Sequence, residues 1–281
     1  MLKKYFIFSK KDEFSNNIFN ELKSELNPDE KKSTKDYQFF NLKSGQKENS
    51  FLLFDELHLY FDIPQTPILD EDAVYFIISK HKSKDGESYF TVHYTGNYLK
   101  AEYGGEDNTL SFCNPNLKGP FYNTQEIPVK FMVEATHHGP YFTRPHIFIE
   151  CGPDEKSWED KENIVKYIKW IKPLFLLEEI PQKKGGIIIG GTHYFDFEFI
   201  ENLESKHNVS IGHIMPKYII STLIENREEF KKRIEQMIEK TLNCEVIFIY
   251  KSYVARYGEI KQIVEEIKLA SKSKELEIIS I

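Results

Sequence analysis

The run Gly185-Gly-Ile-Ile-Ile-Gly-Gly191 is short, apolar and bracketed by glycine pairs, and it begins the most regular half of the chain. Apolar runs of this length between turn residues are typical of buried strands. Downstream, the helical patterns of Lys217–Leu242 and Gly258–Ser271 alternate with predicted strands at Glu245–Tyr250 and Leu276–Ile281. Because strands that alternate with helices favour a parallel sheet covered by helices, this half predicts an α/β sandwich.

The N-terminal half is richer in strands and loops, so we expect a mixed, largely parallel sheet. Tyr5–Ser9, Ala73–Ser79 and Tyr89–Tyr94 predict strands. Asp12–Leu26 predicts a helix, because apolar residues recur every four positions. Turn signals crowd Gly96–Thr124, which we expect to be a loop-rich insertion in a single compact unit that spans residues 1–281.

The middle of the chain predicts two more strands, at Val129–Glu134 and His146–Cys151. After them, Ser157–Leu177 predicts one amphipathic helix, with Ser157 as its N-cap and with Pro173 expected to end it early.

Composition narrows the classes of function. The net charge is −7, which argues against broad, sequence-independent nucleic-acid binding, although Lys80–Lys84 and Lys183-Lys184 are candidate local basic patches. The three cysteines are far apart and form no Cys-x-x-Cys, so we expect no disulfide framework and a cytoplasmic location.

Several other classes lack their sequence signatures. No apolar stretch reaches the roughly 18–20 residues that span a membrane, so no membrane partner is expected. The sequence contains no Gly-x-x-x-x-Gly-Lys-Ser/Thr, Gly-x-Gly-x-x-Gly or Gly-x-Ser-x-Gly motif. We therefore expect no nucleotide cofactor and no serine hydrolase of the α/β type.

The segment Glu134-Ala-Thr-His-His-Gly-Pro140 carries the clearest functional signal. Imidazoles and carboxylates bind zinc and move protons near neutral pH. Neighbours in a strand point to opposite faces, so His137 and His138 can share a site only if the turn at Gly139-Pro140 breaks the alternation. One histidine is expected to be a metal ligand and the other an orienting group or proton carrier; the sequence leaves open which is which.

Glu134 has three possible roles: a general base, a partner that orients a histidine, or an ion pair with Arg144. The β-branched and aromatic content of Val129–Val133 favours a strand there, and the zinc-peptidase order His-Glu-x-x-His is absent. A metal-binding helix is therefore a poor explanation of this segment.

His193 follows Gly190-Gly191-Thr192 at the end of a predicted strand. Backbone N–H groups of Gly190 or Gly191 are expected to face an oxyanion, because glycines permit close approach. Glu150 could complete a zinc set with His137 and His193 that leaves a position open for water. Three further histidines are candidate site residues: His81, His93 and His213.

These segments together resemble the archaeal and plant type of D-aminoacyl-tRNA deacylase, in order from about residue 73 to about residue 218. The matching segments are Ser79–His81, Thr91–Asn97, Tyr103–Gly105, Glu134–Pro140, Phe148–Glu150 with Gly152 and Trp158, Gly190–Tyr194, and Gly212–Tyr218. The chain departs from the family pattern at Thr192, where glycine is usual, at Phe195–Phe197, where Ala-Pro is common, and at Cys151.

The resemblance implies a three-layer α/β/α fold like those of peptidyl-tRNA hydrolases and nucleoside phosphorylases. It implies hydrolysis of the ester between a D-amino acid and the terminal ribose of tRNA, with zinc as cofactor and the acceptor end of D-aminoacyl-tRNA as partner. The expected metal ligands are His137, His193 and Glu150, and Glu134 or His138 would move the proton. The expected substrate-binding residues are His81, His93, Asn97, Gly190, Gly191, Thr192, Tyr194, His213 and Lys217.

Other mechanisms and functions stay open at this point. The zinc could be structural, with the neighbouring ribose hydroxyl assisting the reaction. Outside this enzyme class, the sequence is compatible with a zinc-dependent amidohydrolase or peptidase acting on small substrates, or with a non-catalytic tRNA-binding module.

Overall fold

The structure is a computed structural model that describes residues 2–42, 49–60, 72–84, 86–124, 126–253, 256–270 and 275–281. The predicted helix Gly258–Ser271 extends past these ranges, because position 271 lies outside them. All the predicted site residues lie within the described part of the chain.

The predicted strands are all present, and further strands lie between them. The strands are β1 (Lys4–Ser9), β2 (Asp29–Ser33), β3 (Tyr37–Asn41), β4 (Asn49–Phe54), β5 (Val74–Lys80), β6 (Tyr89–His93), β7 (Lys130–Glu134), β8 (His146–Gly152), β9 (Lys184–Ile189), β10 (Tyr194–Asp196), β11 (Val209–Met215), β12 (Cys244–Ile249) and β13 (Glu277–Ser280). Two of the strands that were not predicted are β2, which is polar, and β10, which is only three residues long.

The helices are α1 (Glu13–Leu26), α2 (Glu155–Glu159), α3 (Lys161–Leu176), α4 (Phe197–His207), α5 (Lys217–Leu223), α6 (Arg227–Lys240) and α7 (Tyr257–Ala270), with 3₁₀ turns at His58–Tyr60, Pro115–Tyr122 and Lys251–Tyr253. Among the described helices, none is both long and apolar enough to cross a membrane.

The strands form two sheets. Nine lie in the order β10-β7-β6-β8-β5-β1-β4-β3-β2, and four lie in the order β11-β9-β12-β13. Every pair in the smaller sheet is parallel, whereas the larger sheet mixes parallel and antiparallel pairs. The predicted fold class, α/β with a mixed, largely parallel sheet, is confirmed; the division into two sheets is a further result.

Helices cover the larger sheet on one face. Phe6, Phe8, Phe76 and Phe90 point to that face and pack in one core cluster with residues of α1 and α3, including Trp170. Alternate residues such as Tyr5 and Ile7 point to the other face, where loop residues cover them. Strands buried on both faces are hydrophobic at successive positions, which explains the continuous apolar runs in the sequence.

The predicted single helix Ser157–Leu177 is wrong in two respects. It is interrupted after α2, because the side chains of Asp154 and Asp160 cap two successive helices by accepting from the backbone N–H groups of Ser157 and Glu162. Pro173 lies inside α3 without ending it, since Leu174 and Phe175 beyond it are buried in the core.

The register of the strands places the candidate site residues on one face of the larger sheet rather than at one edge. β6 is antiparallel to β8, with Thr91 opposite Glu150, and parallel to β7, with Val92 opposite Val133. Residues directly opposite each other share a face, and alternate residues along a strand return to it. Glu134, Glu150 and His93 therefore meet on the loop-covered face. They do not share one carboxyl edge of the sheet, because β8 runs antiparallel to its neighbour β6.

Candidate catalytic site

Glu134 ends β7 and is surrounded by imidazoles. Its Oε2 accepts from His193 Nε2 at 3.1 Å and lies 3.7 Å from His137 Nε2, while its Oε1 lies 3.2 Å from His81 Nδ1. Burial raises the pKa of this carboxyl, but the charge of His81 and the hydrogen bond from His193 outweigh it and lower the pKa overall. Of its three candidate roles, this setting favours the partner of histidines over an ion pair with Arg144.

Glu150 is a second buried carboxylate in the same cluster. Its Oε2 accepts from His81 Nδ1 at 2.9 Å, and its Oε1 lies 3.5 Å from His93 Nε2 and 3.7 Å from His138 Nε2. Burial alone would raise the pKa of Glu150, but its hydrogen bonds to these histidines hold it well below the usual range. Both carboxylates are therefore ionised at neutral pH.

The His137-His138 turn aims both rings into this cluster. Nδ1 of His137 donates to the Ala135 carbonyl at 2.8 Å, and Nδ1 of His138 donates to the Gly139 carbonyl at 2.6 Å. These bonds leave each Nε2 with a free lone pair, the arrangement that metal-ligand histidines use. His138 has φ of 42°, in the left-handed region, so the strand alternation is broken, which is the condition under which both histidines can share a site.

Burial, with the neighbouring imidazoles, favours the neutral forms of these two histidines. It lowers the pKa of His137 well below the usual value, and the nearby imidazoles His93, His138 and His193 add to this. Burial also lowers the pKa of His138, although Glu150 opposes the shift. Neutral imidazole is the form that can bind a metal or accept a proton.

His193 connects the buried carboxylate to the surface. Its Nε2 faces Glu134, and its Nδ1 lies 3.2 Å from the Tyr218 hydroxyl at the start of α5. Tyr218 was not among the residues predicted for the site. The signal for Tyr218 in the sequence was its place as the last residue of the matching segment Gly212–Tyr218.

The glycine turn before His193 does not offer the N–H of Gly190 to an oxyanion, whereas that role for the N–H of Gly191 stays a prediction. The Gly190 N–H donates to the Met215 carbonyl at 2.8 Å, so it is not available to an oxyanion, and the Gly191 carbonyl accepts from the Lys217 N–H at 3.0 Å. Gly191 has φ of 92°, and a Cβ there would lie 2.3 Å from the Phe195 ring. The turn connects β9 to β10, is hydrogen-bonded to the end of β11 and presents His193.

Thr192 and Tyr194 complete this turn. The Thr192 hydroxyl donates to the Tyr194 carbonyl, which closes the turn around His193. The Tyr194 hydroxyl lies 2.9 Å from His81 Nε2, so this side chain touches the cluster through an imidazole.

Two other predicted substrate-binding residues support loops instead. His213 is fully buried, with Nδ1 3.0 Å from the Thr136 hydroxyl and Nε2 donating to the Ser111 carbonyl at 3.0 Å. Burial lowers its pKa to about 3, so it is neutral. The prediction that His213 contacts substrate is therefore wrong. Asn97 uses its amide to hold the Gly104 carbonyl at 2.9 Å, although it also borders a groove.

Among the described residues, three groups of side chains could each hold a metal ion. Within each group, the ligand atoms lie within 4.8 Å of one another. They are His93 with His137 and His138, Glu134 with His137 and His193, and His81 with Glu134 and Glu150. The predicted set therefore changes in one member, because the carboxylate grouped with His137 and His193 is Glu134 rather than Glu150. The metal-ligand roles themselves stay predictions.

The chemistry of the cluster fits zinc. The atoms His93 Nε2 and Glu134 Oε1 are buried and make no hydrogen bond of good geometry within the described residues. Buried polar atoms without partners are costly, and a cation held by His93 or by Glu134 would offset that cost for its own ligand. The donors are imidazole nitrogens and carboxylate oxygens, which zinc accepts.

Two grooves open on either side of the His137-His138 turn, and both reach Tyr103. The first, which we call the Asp12 groove, has a volume of about 400 Å³ and is lined by Asp12, Leu57, His58, Leu59, Ser79–Lys82 and Glu150. The second, the Tyr218 groove, has a volume of about 460 Å³ and is lined by Gly96–Lys100, Glu102, Thr136, His193, Tyr218 and Ile219. Lys217 is exposed at the start of α5, next to Tyr218.

Comparisons with known proteins identify relatives of this chain. A family model described as D-aminoacyl-tRNA deacylase matches residues 69–272. A protein of that name from Picrophilus torridus is 34% identical over 222 residues, which cover 76% of this chain and 80% of the relative. The corresponding protein from Pyrococcus furiosus is 29% identical over 237 residues, covering 79% and 82%.

One solved structure resembles the whole chain. A crystal structure of a conserved protein of unknown function superposes with a TM-score of 0.77, covering 99% of this chain and 95% of the other. Its sequence identity is 24%, so this likeness supports the fold alone.

Proposed function

Because the chain belongs to the D-aminoacyl-tRNA deacylase family, we propose that it hydrolyses the ester between a D-amino acid and the terminal ribose of tRNA, releasing both. The observation that carries the proposal is the cluster of two buried carboxylates and five histidines between the two grooves. The acceptor end of D-aminoacyl-tRNA would lie across this cluster.

His138 is the proposed proton carrier. His138 lines both grooves, its Nδ1 donates to the Gly139 carbonyl, and the ionised Glu150 lies 3.7 Å from its Nε2 to stabilise the protonated ring. His138 would take a proton from water as the oxygen attacks the ester carbonyl. It would return the proton to the ribose oxygen as the carbon–oxygen bond breaks, so the products are the free acid and the free hydroxyl.

Glu134 is proposed to act through other side chains. It is almost fully buried, so it reaches the grooves through His193, His137 and His81. Its charge fixes the orientation of His193, whose second nitrogen meets the Tyr218 hydroxyl. The Tyr218 hydroxyl would therefore stand ready to hydrogen-bond an oxygen of the substrate in the Tyr218 groove.

Zinc is the proposed cofactor, with His137, His193 and Glu134 as its preferred ligands and His93 and His138 nearby. When bound, zinc would polarise the ester carbonyl or make a water more acidic. Glu150, the ligand expected from the sequence, would instead keep His81 and His138 in place.

Chirality is proposed to come from shape. A site that places the α-amino group and the ester in fixed positions leaves room for the side chain of only one enantiomer. The cytoplasmic location expected from the cysteines is kept as part of the proposal. The two alternatives, a small-molecule amidohydrolase and a non-catalytic tRNA-binding module, are set aside because the relatives bear the name of one hydrolase.

The test is a deacylation assay with metal-replete protein and one tRNA charged with the D or the L form of the same amino acid. We expect release of the D-amino acid and sparing of the L ester. Equal turnover of both enantiomers, or none of the D ester by protein with its full metal content, would contradict the proposal.

A further inference from the structure

Tyr103 combines an exposed ring with a tightly held backbone. Its side chain is 62% exposed. Its carbonyl nevertheless accepts from the Gly139 N–H at 3.0 Å, inside the turn that carries His137 and His138. The next carbonyl, that of Gly104, accepts from the Asn97 amide at 2.9 Å. The position of the ring is therefore coupled to the position of the reactive histidines.

The glycines after Tyr103 permit this close seating. Gly104 has φ of 72° and Gly105 has φ of 79°, a region that side-chain-bearing residues rarely adopt. A Cβ on Gly104 would lie 1.8 Å from the Leu59 carbonyl oxygen, and one on Gly105 would lie 2.8 Å from the Asn97 amide. The loop thus packs tightly between the Leu59 backbone and the Asn97 side chain, yet it presents the Tyr103 ring to solvent.

An exposed ring on such a backbone adds little to the core and is accessible to a ligand outside the folded chain. Tyr103 borders both grooves together with His137 and His138, next to the atoms that would cleave the ester. In the Tyr218 groove a second tyrosine, Tyr218, is 48% exposed. Exposed aromatic faces beside a reaction centre are the surfaces on which unpaired bases stack.

We propose that the Tyr218 groove binds the terminal nucleoside of the acceptor strand, with its base stacked on Tyr103; this rests on the proposed function. The exposed Lys100 and Lys217 border or adjoin the groove and suit the preceding phosphate. Glu102 also lines the groove and repels phosphate, so the strand leaves on the lysine side. The amino acid then occupies the Asp12 groove, across the His137-His138 turn.

The sizes of the two grooves support the same assignment. The Tyr218 groove, at about 460 Å³, is within the range of small-ligand sites and is the larger of the two. The terminal base is the same in every tRNA, so a fixed aromatic platform can serve all substrates. The amino acid varies, so it does not require one.

The test compares Tyr103→Ala, Tyr103→Leu and Tyr103→Phe in the full-length, metal-replete protein. The substrates are a D-aminoacyl-tRNA, the same D-amino acid esterified to adenosine, and its methyl ester. We expect Tyr103→Ala and Tyr103→Leu to raise KM for the first two roughly tenfold, with little change in kcat and none in kcat/KM for the methyl ester. Tyr103→Phe keeps the aromatic face and should behave like the wild type.

Tyr60 supplies a matched control, because it is 59% exposed and is not among the described residues that line either groove. Tyr60→Ala should leave both nucleoside-containing substrates unaffected. An equal loss in Tyr60→Ala, or an unchanged KM in Tyr103→Ala, would overturn the stacking role. A rise in KM for tRNA but not for the adenosine ester would also overturn it, because the contact would then lie elsewhere on the tRNA.

The two proposals fail separately. If the wild type does not hydrolyse D-aminoacyl-tRNA, the proposed function fails. If the wild type is active and Tyr103→Ala is equally active at low substrate concentration, only the stacking proposal fails. Thermal unfolding of each variant should match the wild type, since the replaced ring is exposed.

Discussion

His193 Nε2 lies 3.1 Å from Glu134 Oε2, so a part-exposed imidazole is tied to a carboxylate that is 1% exposed. The other ring nitrogen lies 3.2 Å from the Tyr218 hydroxyl at the groove. The three residues come from separate parts of the chain and form one path from the buried charge to the surface. A substitution at Glu134 should therefore change the rate of reaction of a substrate that Glu134 does not contact.

Glu134→Gln should reduce kcat about 10- to 100-fold, because the carboxylate that orients His193, and that would bind zinc, loses its charge but keeps its shape. Steady-state kinetics and zinc content check this. Asp196→Asn is the control, since Asp196 is exposed and its side chain makes no capping bond. Wild-type kcat and zinc content in Glu134→Gln would show that the charge is dispensable.

His138→Gln should reduce kcat by about 100-fold or more, since a positioned proton carrier contributes on that order. His207→Gln is the matched control: His207 packs on Phe248, outside the described groups that could hold a metal. If His138→Gln retained its zinc and its full rate, the proton-carrier role would pass to another residue.

Tyr218→Phe should reduce kcat roughly tenfold with KM nearly unchanged, because it removes the hydroxyl bonded to His193 but keeps the ring in the groove. Tyr103→Ala should show the opposite division between kcat and KM. Similar kinetic effects of the two variants would mean that the two tyrosines do not have separate roles.

Removal of zinc should abolish activity, and His137→Ala should lower the zinc content as well as the rate. In cobalt-substituted protein, the absorption spectrum should lack thiolate charge-transfer bands. The reason is that Cys113, Cys151 and Cys244 are absent from the described groups that could hold a metal. Full activity in protein shown to be metal-free would instead make the zinc structural.

Stability should fall in mild acid. Burial lowers the pKa of His213 to about 3 and that of His146 to about 4, from 6.5. The unfolded chain takes up protons as the pH falls through about 6.5, but the folded chain does not until the pH nears the lowered values. The free energy of unfolding is therefore undiminished above about pH 6.5, and each histidine removes about 1.4 kcal/mol per pH unit below it.

Urea unfolding between pH 7 and pH 5 measures this effect. His213→Gln, which can still accept from Thr136 and donate to Ser111, should show a shallower decline than the wild type. His207→Gln should decline like the wild type, since His207 is partly exposed. Parallel curves for the wild type and His213→Gln would contradict the assignment.

Much of the fold was predictable because its strands are long apolar runs and its main helices have regular spacing. β1, β5, β8 and α1 were all predicted to within two residues of their ends. The exceptions have physical causes. β2 is exposed along its whole length and owes its position to pairing with β3. The break between α2 and α3 depends on the Asp160 cap, a local bond that competes with helical spacing.

The sequence by itself determined which residue types carry the chemistry, because a His-His pair beside a carboxylate and a Gly-Gly-Thr-His turn are visible without coordinates. Only the tertiary structure decided which carboxylate contacts which histidine. The antiparallel pairing of β6 with β8 brings Glu150 to His81, His93 and His138, while β7 and the turn after β9 bring Glu134 to His193. Strand direction and register set these distances, and both depend on pairing between segments far apart in the chain.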